Sequence, residues 1–200
     1  MTTPQPVVLA SESPRRAQLL AQIRIEFSTV SAAIDESVLP AEAAETYVVR
    51  MARGKAVACA RSGQLTLAAD TIVVCDSQIL GKPRDADDGV AMLRKLSGRV
   101  HDVMTAVAAS DSIRVESVVV VSRVEFVEIS PAQAAAYWAT GEGADKAGGY
   151  GIQGIGGIFV KKLEGSYSAV VGLPLMETER LLMSFDIDTW RSRAVEKVVE

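Results

Sequence analysis

Two arginines at the start of a helix, two isolated lysines and a carboxylate inside an apolar run are the residues of this chain best suited to chemistry. The segment Ser11-Glu12-Ser13-Pro14-Arg15-Arg16 joins the apolar run VVLA to a helical pattern in which Leu19, Leu20 and Ile23 recur at helical spacing. Ser13 suits an N-cap and Pro14 the first helical position, so Arg15 and Arg16 fall where backbone N–H groups lack intrahelical partners. Free N–H groups, the positive end of the helix dipole and two guanidinium forks together favour phosphate oxygens. The same residues also describe an ordinary capped helix with solvated arginines, and the segment alone does not choose.

Other segments carry the complementary groups. Lys55 falls on the apolar stripe of a helix running from about Ala41 to Arg61, four residues after Met51 and on the face of Tyr47, Val48, Ala52 and Cys59. It either snorkels to solvent or points into a polar cleft. Asp70 and Thr71 interrupt LTLAADTIVVC, which otherwise reads as a central strand. A lone buried charge is too costly to persist, so Asp70 is salt-bridged, protonated, satisfied by backbone donors, or at a strand end facing a metal or water. Lys82 sits in the turn Leu80-Gly81-Lys82-Pro83, and Asp35-Glu36 follows the first helix. Cations to clamp phosphates, with carboxylates to hold a metal or activate water, suit a metal-bound nucleotide.

The elements that must position these groups alternate between strand and helix patterns, an α/β arrangement. Asp85 caps a helix through about Lys95 that stops at Gly98, and the β-branched segments 100–109 and 117–129 read as a meander or hairpin. Ser130-Pro131-Ala132-Gln133 is a capping box opening a helix that ends near Gly141, with Tyr137 and Trp138 as packing residues. Pro174 starts a last core helix through Phe185, and the residues after Thr189 form a charged tail. In GGYGIQGIGG the glycines 149, 151 and 154 match G-x-G-x-x-G, but IFVKKL, a strand-like run, follows where a dinucleotide fold needs a helix. What remains is a loop able to approach a ligand closely, with Gln153 able both to donate to and to accept from a nucleobase edge, or a plain glycine hairpin with an exposed glutamine.

Composition narrows the function classes. The 200 residues, 48% hydrophobic, suffice for one compact domain or two closely packed lobes. A net charge of −4 argues against a general nucleic-acid binder, whose affinity rests on a broad basic surface. Cys59 and Cys75 lack CxxC spacing and read as reduced core cysteines, and a single histidine, His101, supplies no ordinary zinc site. Any metal is then expected to be oxygen-ligated, Mg²⁺ or Mn²⁺. No apolar stretch approaches the ~18 to 20 residues of a membrane span, and the N-terminus lacks a signal-peptide pattern, so a soluble cytoplasmic protein is expected.

In order and spacing, SESPRR, Asp35-Glu36, YVVRMARGKA, AADTIVV, LGKPRD, AMLRKLSG, DKAGGYGIQG and GSYSAVVGLP resemble the Maf family of nucleoside triphosphate pyrophosphatases, also labelled septum-formation proteins. The resemblance runs from about Val8 to Phe185. It implies one domain with a core over about 7–186 and a tail over 189–200. The implied fold is a mixed, strongly twisted α/β sheet flanked by helices, two lobes with a deep cleft as in inosine triphosphatases, and a homodimer. It implies hydrolysis of the α–β phosphoanhydride bond of dTTP and UTP to monophosphate and pyrophosphate, with a divalent cation, Mg or Mn. Asp70 matches the family's general base; Ser11, Arg16, Lys55 and Lys82 match substrate-binding positions; Glu36 and Asp70 match the metal site. Arg15, Thr71 and Gln153 match the positions that separate the dTTP/UTP branch from the branch acting on 7-methyl-GTP. Gly54, where relatives commonly carry glutamate, and Glu12 in the first loop depart from the pattern. A regulator of cell division that binds nucleotide in the same cleft is the alternative implied by the family's label.

Overall fold

The computed structural model describes residues 5–190, so the expected tail lies outside the described residues from position 191 onward. In chain order the elements are β1 (Val7–Ala10), α1 (Pro14–Gln22), β2 (Phe27–Val30), α2 (Ala44–Cys59), β3 (Leu65–Cys75), β4 (Gln78–Leu80) and α3 (Ala86–Leu96). They continue with β5 (Val100–Ser110), β6 (Val115–Phe126), α4 (Pro131–Trp138), β7 (Val160–Glu164), α5 (Tyr167–Val171) and α6 (Leu175–Ser184). The strands form one mixed sheet in the order β2-β1-β3-β5-β6-β7, with β4 added to β3. The first three of these pair in parallel and the remaining pairs are antiparallel. No helix among the described residues is long and apolar enough to cross a membrane.

Local sequence explains most boundaries. LTLAADTIVVC is β3 from end to end, and the segments from 100 and 117 form the β5–β6 hairpin. Asp85 caps α3 by accepting from the Asp88 N–H, and Ser130 with Gln133 forms the capping box of α4. Ser13 departs from expectation. It occupies the cap position of α1, but its side chain makes no capping hydrogen bond; its own N–H donates instead to the Ser11 hydroxyl at 3.2 Å. The first turn of α1 therefore keeps N–H groups that the cap does not satisfy.

The period of two along β3 and β5 separates the core into three clusters. On one face, Ala68, Ile72, Ala106 and Ala108 pack beneath α2. On the other face the core is split. Leu65, Leu67, Ala69, Val107 and Ala109 pack with α1 and α6, whereas Val73, Cys75 and Val103 pack with α3 and α4. Between those two clusters lie Thr71 and Thr105, paired across the ladder with their hydroxyls 3.0 Å apart. Two polar residues at this point of an otherwise apolar face mark where the two halves part.

The sheet is also interrupted at its edge here. β1 pairs with β3 only over Leu65–Leu67, and β4 pairs with it only from Val73 onward. From Ala68 to Ile72, β3 has β5 on one side and no strand of this sheet on the other. The notch so formed holds Asp70 and Thr71, which point to opposite faces.

Both cysteines are buried and free, as expected of reduced core thiols. His101 is buried in the α3–α4 half, its Nε2 sharing a 2.9 Å hydrogen bond with the Tyr150 hydroxyl and its ring edge-on to Phe126. Its Nδ1 is buried without a partner, and burial lowers its pKa from 6.5 to about 4. The neutral ring is thus the folded form, and its contribution is complete above pH 6.5 and lost as the unfolded chain takes up a proton between pH 6.5 and 4. The expected loss reaches roughly 3 kcal/mol at the bottom of that window. Urea titrations at pH 7 and 4.5 should show a steeper fall for the wild type than for His101→Asn; equal slopes would contradict it. On α3, a Cβ added at Gly89 would overlap the Trp138 ring on α4. Helix propensity alone favours Gly89→Ala by about 1 kcal/mol, but overpacking costs about 1–3 kcal/mol. Net destabilisation is expected in urea denaturation, and a raised midpoint would show that Trp138 yields freely.

Candidate active site

The notch opens into a cleft of about 760 Å³ lined by the β1–α1 loop, the middle of β3, the turn at Lys82 and the segment 142–154. That volume suits a nucleotide-sized ligand. All nine residues singled out for substrate, specificity or metal line it: Ser11, Arg15, Arg16, Glu36, Lys55, Asp70, Thr71, Lys82 and Gln153.

At its centre Lys55 Nζ lies 2.7 Å from Asp70 Oδ1 and 2.7 Å from Glu36 Oε1. The lysine side chain is 11% exposed and the aspartate 14%, so this ion pair is shielded, and the choice left open for Lys55 resolves toward the cleft. Helical spacing delivers it: Met51, Ala52 and Ala56 bury the α2 face against β3, and Lys55 reaches from that face to the notch. Asp70 is salt-bridged in mid-strand rather than at a strand end. Burial acts upward on the Glu36 carboxyl, but the Lys55 ammonium, with Lys82 and Arg16 further off, outweighs it and holds Glu36 below the usual carboxylate value. Tyr47 supports this corner by donating its hydroxyl to the Glu36 carbonyl at 2.9 Å.

Arg16 closes the floor on the other face of β3. Its guanidinium donates to the Gly172 carbonyl at 2.9 Å and to the Ser11 and Thr71 hydroxyls at 3.3 Å each. Gly172 sits at φ +129°, a conformation that favours glycine and lets α5 end with its carbonyl turned to the arginine. Burial lowers the Arg16 pKa and the Asp70 charge partly restores it, and the guanidinium is held among neutral oxygens. Thr71 is thereby tied to both Arg16 and Thr105, and Thr105 donates to the Ala169 carbonyl at 2.6 Å.

Arg15 turns the other way and pairs with Asp145 across the mouth at 3.0 Å. Asp145 also pairs with Lys146, and the two cations overcome the upward pull of burial to hold its pKa at about 2. The Arg15–Asp145 contact joins the α1 wall to the glycine-rich wall that carries the exposed Gln153. The sequence did not single out Asp145. Tyr137 packs as expected, buried with its ring edge-on to Phe159, and its hydroxyl also donates to Glu142 and accepts from the Gly151 N–H. The signal for both acids was the run GEGADK, where two carboxylates stand among glycines without helical or strand periodicity.

Among the described residues no group of three or more His, Cys, Asp or Glu side chains is placed to hold a metal. Two carboxylates gathered about one ammonium fit a cation that takes its remaining ligands from phosphates and water, as Mg²⁺ commonly does. The arrangement can therefore bind polyphosphate with arginine and lysine charges, seat a metal with its substrate, and offer Asp70 to a proton.

Comparison with known proteins places the chain in a family. A family model described as "Maf-like protein" matches residues 6–185. A protein of Hahella chejuensis is 52% identical over 189 residues, covering 92% of this chain and 94% of its own. One of Pseudoalteromonas atlantica is 51% identical over 182 residues, covering 88% and 95%, and one of Escherichia coli O157:H7 is 51% identical over 181 residues, covering 89% and 92%. All three are named dTTP/UTP pyrophosphatase. With a matching model over nearly all of the described residues and half-identical relatives over most of its length, this chain belongs to the Maf family.

Proposed function

We propose that this protein is a dTTP/UTP pyrophosphatase, acting through a single domain with its core over about 7–186, which cleaves the α–β phosphoanhydride bond of its substrate. The observation that carries the reading is Asp70, held by Lys55 at 2.7 Å in a notch that also admits Arg15, Arg16 and Lys82. Half-identical relatives named for the same activity support it.

In this reading the free N–H groups of α1, with Ser11 and Arg16, bind phosphate oxygens from one side, and Lys55 and Lys82 bind them from the other. A triphosphate brings about four negative charges, so these cations also neutralise the pyrophosphate as it leaves. Glu36 and Asp70 would hold a divalent cation together with the phosphates, and that cation would supply further charge neutralisation. Asp70 takes a proton from the attacking water while the water oxygen bonds to the α-phosphorus and the bond to the bridging oxygen breaks. The products are a nucleoside monophosphate and pyrophosphate. Lys55, 2.7 Å away, keeps the Asp70 oxygen in place. Arg15, Thr71 and Gln153 read the base and sugar, Gln153 through an amide able to meet both donors and acceptors on a pyrimidine edge.

Asp70→Asn tests the assignment with little damage to the fold, because Lys55 retains Glu36 as a partner. Turnover of dTTP and UTP should fall by about 10²-fold or more while nucleotide affinity changes by only a few-fold. Pyrophosphate release by the purified variant at the wild-type rate would remove Asp70 from the chemistry. In a panel assayed with Mg²⁺ or Mn²⁺ and again with chelator, dTTP and UTP should be turned over only with metal. A protein that hydrolyses 7-methyl-GTP and neither pyrimidine would overturn the substrate assignment.

A further inference from the structure

The glycines of the 151–156 loop enclose one of the chain's own carboxylates. Glu142 Oε1 accepts from the Gly156 N–H at 2.9 Å and from the Tyr137 hydroxyl at 2.8 Å, and Glu142 Oε2 accepts from the Ile155 N–H at 2.7 Å. The Tyr137 hydroxyl in turn accepts from the Gly151 N–H at 3.0 Å. None of Gly151, Gly154 and Gly156 has a positive φ. Close approach is what requires them: a Cβ at 154 would overlap the Glu142 carboxylate, one at 151 would come within 3.1 Å of it, and one at 156 would come within 2.9 Å of the Tyr137 oxygen. Two glycines of the G-x-G-x-x-G spacing, Gly151 and Gly154, thus stand against a glutamate side chain, and the amides that bind it, those of Ile155 and Gly156, follow the motif.

Gln153 lies between the two anchors, two residues after Gly151 and two before Ile155, on the wall of the cleft. We infer that Glu142 and Tyr137 are positioning residues for nucleobase selection, acting through the Gln153 loop, which they hold at a fixed depth in the cleft. This rests on the reading of Gln153 as a base-reading residue. The physical reason is entropic and geometric. A glutamine on a loose glycine loop can approach a base at many depths, whereas one flanked by N–H groups pinned to the Tyr137 hydroxyl on one side and the Glu142 carboxylate on the other has its reach restricted. Burial works against the Glu142 charge, but the Gly156 and Ile155 amides and the Tyr137 hydroxyl outweigh it, so the anchor stays ionised at neutral pH. Asp145, three residues on, ties the same segment to Arg15 from outside, so the loop is pinned on both sides.

The test compares Glu142→Gln, which keeps the shape but turns an amide donor toward a backbone donor, with Tyr137→Phe, which keeps the ring and loses the hydroxyl. Kinetics on UTP, CTP and ATP are measured for each, for Gln153→Ala, and for the Glu142→Gln/Gln153→Ala double variant. Each of the two positioning variants should raise KM for UTP at least about tenfold and lower the UTP preference over CTP and ATP, with kcat within about threefold of wild type. The double variant should discriminate no worse than Gln153→Ala alone, because both changes act through one side chain. Glu142→Asp, which keeps the charge, should recover more preference than Glu142→Gln.

Equal losses on all three nucleotides, preference retained in Glu142→Gln, or multiplicative losses in the double variant would each overturn the inference. Hydrogen exchange at Gly151, Ile155 and Gly156 in the free protein gives a readout independent of turnover. Protection lost in Glu142→Gln at these amides alone supports the anchor, and unchanged protection overturns it. A wild type inactive on UTP, or a Gln153→Ala variant with full preference, would instead refute the base-reading assignment while the exchange data still judge the anchor.

Discussion

A carboxylate in the middle of a buried strand must be paired, and much of this structure is arranged around the lysine that pairs with Asp70. Charge burial of this kind costs several kcal/mol unless a partner stands within hydrogen-bond reach. Lys55 meets the requirement at 2.7 Å, and it can do so only because α2 lies across β3 with its Met51–Ala52–Ala56 face pressed on the sheet. The same ammonium binds Glu36, so one cation organises both carboxylates and sets the polarity of the cleft. A buried ion pair is a weak source of stability, which is consistent with its serving the site rather than the fold.

The cleft follows from two interruptions that coincide. Along the edge of β3, β1 stops pairing at Leu67 and β4 begins at Val73; across one face, the apolar clusters part at Thr71 and Thr105. Either break alone would leave a shallow groove. Together they open both faces of one short stretch of backbone, so that consecutive residues, Asp70 and Thr71, face the two separate walls. Arg16 reaches Thr71 on one side while Lys55 reaches Asp70 on the other. The Arg15–Asp145 pair then joins walls that belong to different core clusters.

The glycine-rich wall shows how a motif can be real in spacing and different in meaning. A phosphate-binding fingerprint needs glycines so that backbone N–H groups can approach an anion, and the 151–156 loop meets that description. Its anion is Glu142, supplied in cis nine residues ahead of Gly151. Filling the nest internally ties the loop into the wall of the cleft through the Ile155 and Gly156 amides.

Much was legible in the sequence where the signal is local. A continuous apolar, β-branched run marked β3, capping chemistry marked the starts of α3 and α4, and a charge inside that run marked Asp70, because propensity, caps and desolvation act within a few residues. Lys55 was suspect for the same reason, since a cation on a buried stripe is anomalous on any helix. What tertiary structure alone decided is which distant groups share a charge or a proton: that Lys55 turns into the cleft, that Ser13 leaves its helix uncapped, that Tyr137 carries a hydrogen-bond relay, and that Asp145 meets Arg15 across 130 residues. Such partnerships have no period to read. They depend on where the sheet brings remote segments to within 3 Å of each other, and that is settled by how the whole core packs.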